Sequence, residues 1–71
     1  MNIHGAKPRT PPEVIATRLA ELAAAFKATE DAMHRFDGTA SGENFGVPEM
    51  REAHRFLETA WLWARSAIER N

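Results

Sequence analysis

The sequence predicts an all-α fold: a two-helix antiparallel hairpin that assembles into a homo-oligomeric helical bundle. Three observations point there. Two apolar-periodic segments of similar length, "PEVIATRLAELAAAFKATEDAMHRF" and "PEMREAHRFLETAWLWARSAIER", each open on a proline-glutamate pair and are separated by a glycine-bearing polar stretch. No segment reads as a strand. The chain has 71 residues and no cysteine, so it has neither the length for a large core nor a disulfide to compensate, and self-association is the remaining common way to stabilise it.

Residues 1–10 form a short basic arm carrying His4, Lys7 and Arg9 and no acid. The first helix is expected over about residues 11–36. Thr10 is placed to cap it, Pro11 fits its first turn, and Glu13 stands three residues after Thr10, the spacing of a capping box. Along this helix Ile15, Leu19, Leu22, Phe26, Thr29, Met33 and Phe36 follow one another at alternating steps of 4 and 3 residues. That is a heptad seam of the kind two packed helices share. The stretch "DGTASGENFGVP" breaks the pattern and predicts a loop over about 37–47, with Gly38 ending the helix and Gly42 and Gly46 loosening the connection. Pro48 opens a second helix over about 48–70.

The second helix is unusual in the width of its apolar face. Projected at about 100° per residue, Trp63, Phe56, Ala67, Ala60, Ala53, Ala64, Leu57, Met50, Ile68 and Trp61 fall in that order around an arc of about 160°. One partner helix covers a stripe of roughly 100°. The alanines occupy the middle of the arc and the tryptophans its edges, so the arc reads as two overlapping seams, one for the first helix of the same chain and one for another protomer.

Several function classes lack support. The formal net charge is −1, with both signs mixed along the chain, which argues against a duplex nucleic-acid binder with a large basic face. No apolar run approaches the roughly 20 residues of a membrane span, and the first residues lack the apolar core of a signal peptide; a soluble, cytoplasmic protein is expected. The three histidines, His4, His34 and His54, are too dispersed for a zinc motif, and His34 and His54 read as boundary residues at the edges of the apolar stripes. The carboxylates sit at helical spacing beside basic residues, as on a solvated charge face. No serine or threonine has the setting of a nucleophile elbow, and there is no phosphate-binding glycine loop after a strand. Neither enzyme, metal nor cofactor is therefore expected; a small phosphodiesterase, for example, needs a metal or general-base cluster that the sequence does not contain. The functional candidates are basic and aromatic groups that a subunit interface could gather around an anion or a base.

The segment "FLETAWLWARSAI" resembles the "LEEAKMWAVKAI" ending of small phage and prophage helical-hairpin proteins, the sponges that counter cyclic-oligonucleotide-based antiphage signalling (CBASS), and the related hairpin domain of anti-Thoeris sponges. Leu57, Glu58, Ala60, Trp63, Ala64, Ala67 and Ile68 agree with that pattern. The layout is similar too: an arm with an arginine, a Pro/Glu helix start, a glycine-containing loop and a closing helix. The resemblance implies a homo-oligomer, typically a hexamer, that holds cyclic dinucleotides between protomers, and in some members cyclic trinucleotides on the threefold axis, without cutting them. For a phage-encoded protein the setting would be the host bacterial cytoplasm.

Residue by residue, the resemblance implies a ligand-binding role for Arg9, at the arm position, with Lys7 close by, and for Arg18, the nearest basic residue to the family's helix 1 lysine. Trp63 matches the family's tryptophan, with interface packing as its competing role. The commonly basic position after the Trp-Ala pair is Ser66 here, and Arg65, immediately before it on a different azimuth, is the further ligand-binding candidate. The chain departs from the family in having no tyrosine and no aromatic residue before Phe26. The rival expectation is a structural or partner-binding hairpin without a nucleotide ligand, in which both tryptophans serve assembly and the arm docks on an acidic protein.

Overall fold

The structure is a computed structural model that describes residues 10–70. Two helices, α1 (Pro12–Asp37) and α2 (Pro48–Glu69), pack against each other antiparallel, and no strand occurs among the described residues. At about 1.5 Å per residue they are roughly 39 and 33 Å long. Among the described residues no helix is long and apolar enough to cross a membrane.

The start of α1 differs from the expected cap. Pro11 precedes the helix at φ −56° and ψ 143°, and Pro12 takes the first helical position. The Pro12 ring clashes with a helical Pro11 and keeps it extended, which leaves Thr10 one residue too early to cap. No side-chain hydrogen bond closes this end among the described residues. The Pro11 carbonyl instead accepts from the N–H groups of Val14 and Ile15 at 3.0 and 3.1 Å, and Pro12 has no N–H to leave unsatisfied. At the other end Gly38 adopts φ 76°, the left-handed conformation that glycine takes without a Cβ clash, and its N–H and that of Thr39 both turn back to the His34 carbonyl.

The helices meet through Ile15, Leu19, Leu22, Phe26 and Met33 of α1 and Met50, Leu57, Trp61, Ala64 and Ile68 of α2, all half-buried. Phe26 and Trp61 form the aromatic centre of this contact, their rings 5.4 Å apart and tilted by 58°. The expected heptad seam is not kept to its end. Thr29 is exposed with its hydroxyl donating to the Ala25 carbonyl, and Phe36 is 89% exposed. A straight helix slips about 20° against a strict heptad in every repeat, so three repeats after Ile15 the seam has rotated off the contact. Glu30, His34 and Asp37 turn inward in its place.

The deepest apolar side chain comes from the loop. Phe45, 5% exposed, is the only buried hydrophobic residue among the described residues, and none of these has a completely buried side chain. The single hairpin therefore buries little of what it could.

Candidate functional site

Two regions concentrate chemistry. The first is the loop end of the hairpin. Asp37, the last residue of α1, accepts the Gly46 N–H at 2.8 Å on Oδ2 and the Val47 N–H at 3.0 Å on Oδ1, and the Thr39 hydroxyl donates to Oδ2 at 3.0 Å. With its hydrogen committed to Asp37, the Thr39 oxygen accepts from His34 Nδ1 at 2.8 Å, which puts the proton of that imidazole on Nδ1. The Gly46 and then the Val47 N–H, assisted by the Thr39 hydroxyl and nearby His34, hold the Asp37 carboxyl below the usual carboxylate range.

Phe45 is clasped between two histidines. Its ring stacks on His34 at 4.1 Å and 15° and tilts against His54 at 5.1 Å. His54 Nε2 donates to Glu30 Oε2 at 2.6 Å, and Arg51 donates to the Phe45 carbonyl at 2.8 Å. The connection that its glycines led one to expect as loose is thus tied to both helices. A cleft of about 370 Å³ opens beside it, lined by Glu30, Glu43, Arg51, His54 and Arg55 among others. Each of its charges has a partner within the hairpin: Glu30 pairs with His54, Arg55 reaches Glu52 at 3.4 Å, Arg51 donates to the Phe45 carbonyl, and Glu43 accepts the Ala40 N–H. Among the described residues no group of three or more His, Cys, Asp or Glu side chains is placed to hold a metal ion. This end is built for holding the loop.

The second region is the flank of α2 that α1 leaves open. Ala53, Phe56, Ala60 and Trp63 are exposed, Phe56 by 66% and Trp63 by 72%. The wide arc is thus divided. Its sector from Ala64 through Leu57, Met50 and Ile68 to Trp61 packs on α1, and its sector from Trp63 to Ala53 faces outward. An antiparallel pair has an approximate dyad perpendicular to both axes, so equal azimuthal offsets from the two contact stripes fall on the same side of the hairpin. That argument places exposed Arg18, Ala25, Ala32 and Phe36 of α1 on the same side as Phe56 and Trp63.

Of the residues singled out from the sequence, this side therefore brings together Trp63 and Arg18. Arg65 lies on the opposite flank of α2, 3.8 Å from Glu69. Lys7 and Arg9 lie outside the described residues. The sequence reading overlooked Asp37, Phe45 and Arg51. Their available signals were weak: an aspartate directly before a helix-ending glycine, and one aromatic residue in an otherwise polar loop.

Fold and site together define a small helical hairpin with one flank closed by its own chain and the other open, aromatic and alanine-rich. No family model, curated protein or solved structure matches the chain.

Proposed function

We propose that the chain is a non-enzymatic sponge. Copies assemble, as a hexamer on the family pattern, and hold cyclic di- or trinucleotide second messengers between them, withdrawing these signals intact from bacterial antiphage defence in the host cytoplasm. The observation that carries this reading is the exposure of Trp63 in the alanine-lined flank, on the same side as Arg18. Trp63 belongs to the segment that resembles the sponge proteins. A cyclic dinucleotide presents two phosphates and two bases, which basic groups and aromatic planes complement. One hairpin offers a single Trp63 plane and a single Arg18 on this side; two symmetry-related copies offer two of each. Lys7 and Arg9 of the arm are the further basic groups of the proposed pocket.

Isothermal titration with cyclic dinucleotides, cyclic trinucleotides and cyclic ADP-ribose isomers tests this, followed by heat denaturation and chromatography of the released ligand. The expected result is saturable binding at a simple fraction of one ligand per chain, a melting temperature that rises with ligand, and recovery of the ligand uncut. No binding by folded, oligomeric protein would sink the sponge reading. A second reading, an assembling or partner-binding hairpin with no nucleotide ligand, is favoured by one observation: the charged side chains of the loop-end cleft already have partners within the hairpin.

A further inference from the structure

The open flank of α2 has an internal order beyond being apolar. Ala53, Phe56, Ala60, Trp63 and Ala67 follow one another at steps of 3, 4, 3 and 4 residues. Small and large side chains alternate along this row, so that a copy of the row laid antiparallel can approach closely at Ala60 and pair its rings with these rings on either side of that point. The exposed parts of Phe56 and Trp63, the two rings in this row, amount to about 280 Å², taking about 150–250 Å² for a whole aromatic side chain. Two large rings side by side on one exposed helix face are more than the singly scattered apolar residues of an ordinary surface. Doubled across a symmetric contact, their exposed area gives about 560 Å² before the alanines are added, the area of a weak, concentration-dependent contact.

Charge selects the direction. If two α2 helices ran parallel and in register, Trp63 would oppose Trp63, Glu49 would oppose Glu49 and Arg70 would oppose Arg70. In the antiparallel arrangement, setting Phe56 level with Trp63 of the second copy also sets Glu49 level with Arg70 of the second copy, because both pairs straddle one midpoint between Thr59 and Ala60. Glu52 lies one turn from the same arginine and on the same flank of the row as it does. Glu49 and Glu52 at the start of α2 then meet Arg70, the residue that follows the last turn of the mate, at both ends of the contact. We infer that a second copy of this chain covers the open flank, α2 against α2 antiparallel, with the dyad between Thr59 and Ala60 and with Phe56 beside Trp63 of the second copy. This pairing rests on the proposed self-assembly and on nothing about the ligand.

The chain has no cysteine, so single introduced thiols report the contact cleanly. Under mild oxidation Ala60→Cys, next to the dyad, is expected to give a covalent dimer. Ala53→Cys, about two turns from it, is expected to give none. Covalent dimer from Ala53→Cys would mean a parallel pair and overturn the inference. So would failure of Ala60→Cys to cross-link in protein that sedimentation shows to be oligomeric, which would place the contact on another face while self-assembly stands. A monomer at all concentrations would overturn both. Charge exchange gives a second reading that does not depend on oxidation: Glu49→Arg or Arg70→Glu alone should raise the dimer dissociation constant about tenfold, counting two exposed pairs per dimer. The two substitutions together should restore it. Absence of that rescue would exclude the antiparallel register.

Discussion

The loop end of the hairpin and the open flank of α2 treat their aromatic residues in opposite ways. Phe45 arrives from an irregular segment and is enclosed by His34, His54 and the Arg51 hydrogen bond to its own carbonyl. Trp63 sits on a regular helix, where periodicity ought to place it well, and is left 72% exposed. Burial here follows the number of elements that converge on a point. At the loop end three segments converge: the end of α1, the loop and the start of α2. Along the helices only two do, and two cylinders in contact cover at most one stripe of each other.

The contrast is most exposed to failure at its two aromatic centres. Phe45→Ala is expected to cost about 3–5 kcal/mol, the usual range for a buried phenylalanine, which is enough to abolish the cooperative thermal transition of a protein this small. Circular dichroism melts of that variant should show the loss at every protein concentration. Trp63→Ala should behave differently: at high dilution its melting temperature should equal that of the parent, and the concentration dependence expected of the parent should be absent. Equal losses from both variants at high dilution would mean that the open flank supports the single hairpin, and the comparison would fail.

A smaller effect should come from acid. The folded-state pKa of Asp37 lies below its ordinary value because the Gly46 and Val47 N–H groups stabilise the carboxylate. Its contribution to stability is therefore complete above the usual carboxylate range near about pH 4 and disappears as pH falls through the lower folded value. Asp37→Asn keeps one carbonyl oxygen for two N–H donors. It should lower the melting temperature at neutral pH and flatten its dependence below about pH 4, as followed by melts across the acid range. An unchanged acid profile would show that the loop does not depend on this carboxylate. The smallest effect belongs to Lys27, whose bridge to Asp31 at 2.8 Å stands on the surface. Lys27→Ala should leave the melt unchanged within error, since exposed pairs of this kind contribute little.

How far the sequence went toward this picture varies by element. The antiparallel pair of helices was legible because Ile15, Leu19, Leu22 and Phe26 repeat at helical spacing and because within a helix Pro12 and Pro48 fit only the first turn. The division of the α2 arc into an inner and an outer sector was legible from its width. The fate of Phe36 was not: its place in the heptad is correct by counting and wrong by rotation, because an uncoiled helix turns away from a strict seven-residue repeat. Thr10 failed as a cap through a restriction that belongs to its neighbours, the Pro11-Pro12 pair. The loop clasp was hidden because it depends on Asp37 meeting Gly46 and Val47, nine and ten residues along the chain, a return path that composition does not encode. As for the candidate site, the resemblance named Trp63, Arg18 and Arg65 together, and it took the azimuths of the packed helices to put the first two on one side and the third on the other flank.

The unequal burial of the two tryptophans also has an optical meaning. The chain has no tyrosine, so its fluorescence under ultraviolet excitation comes essentially from Trp61 and Trp63. Trp61 rests against Phe26 in the folded hairpin, while Trp63 stands in water. Emission shifts to shorter wavelength when an indole leaves water. Folding therefore acts on one indole and coverage of the open flank on the other, and dilution and denaturation separate the two contributions without any added label.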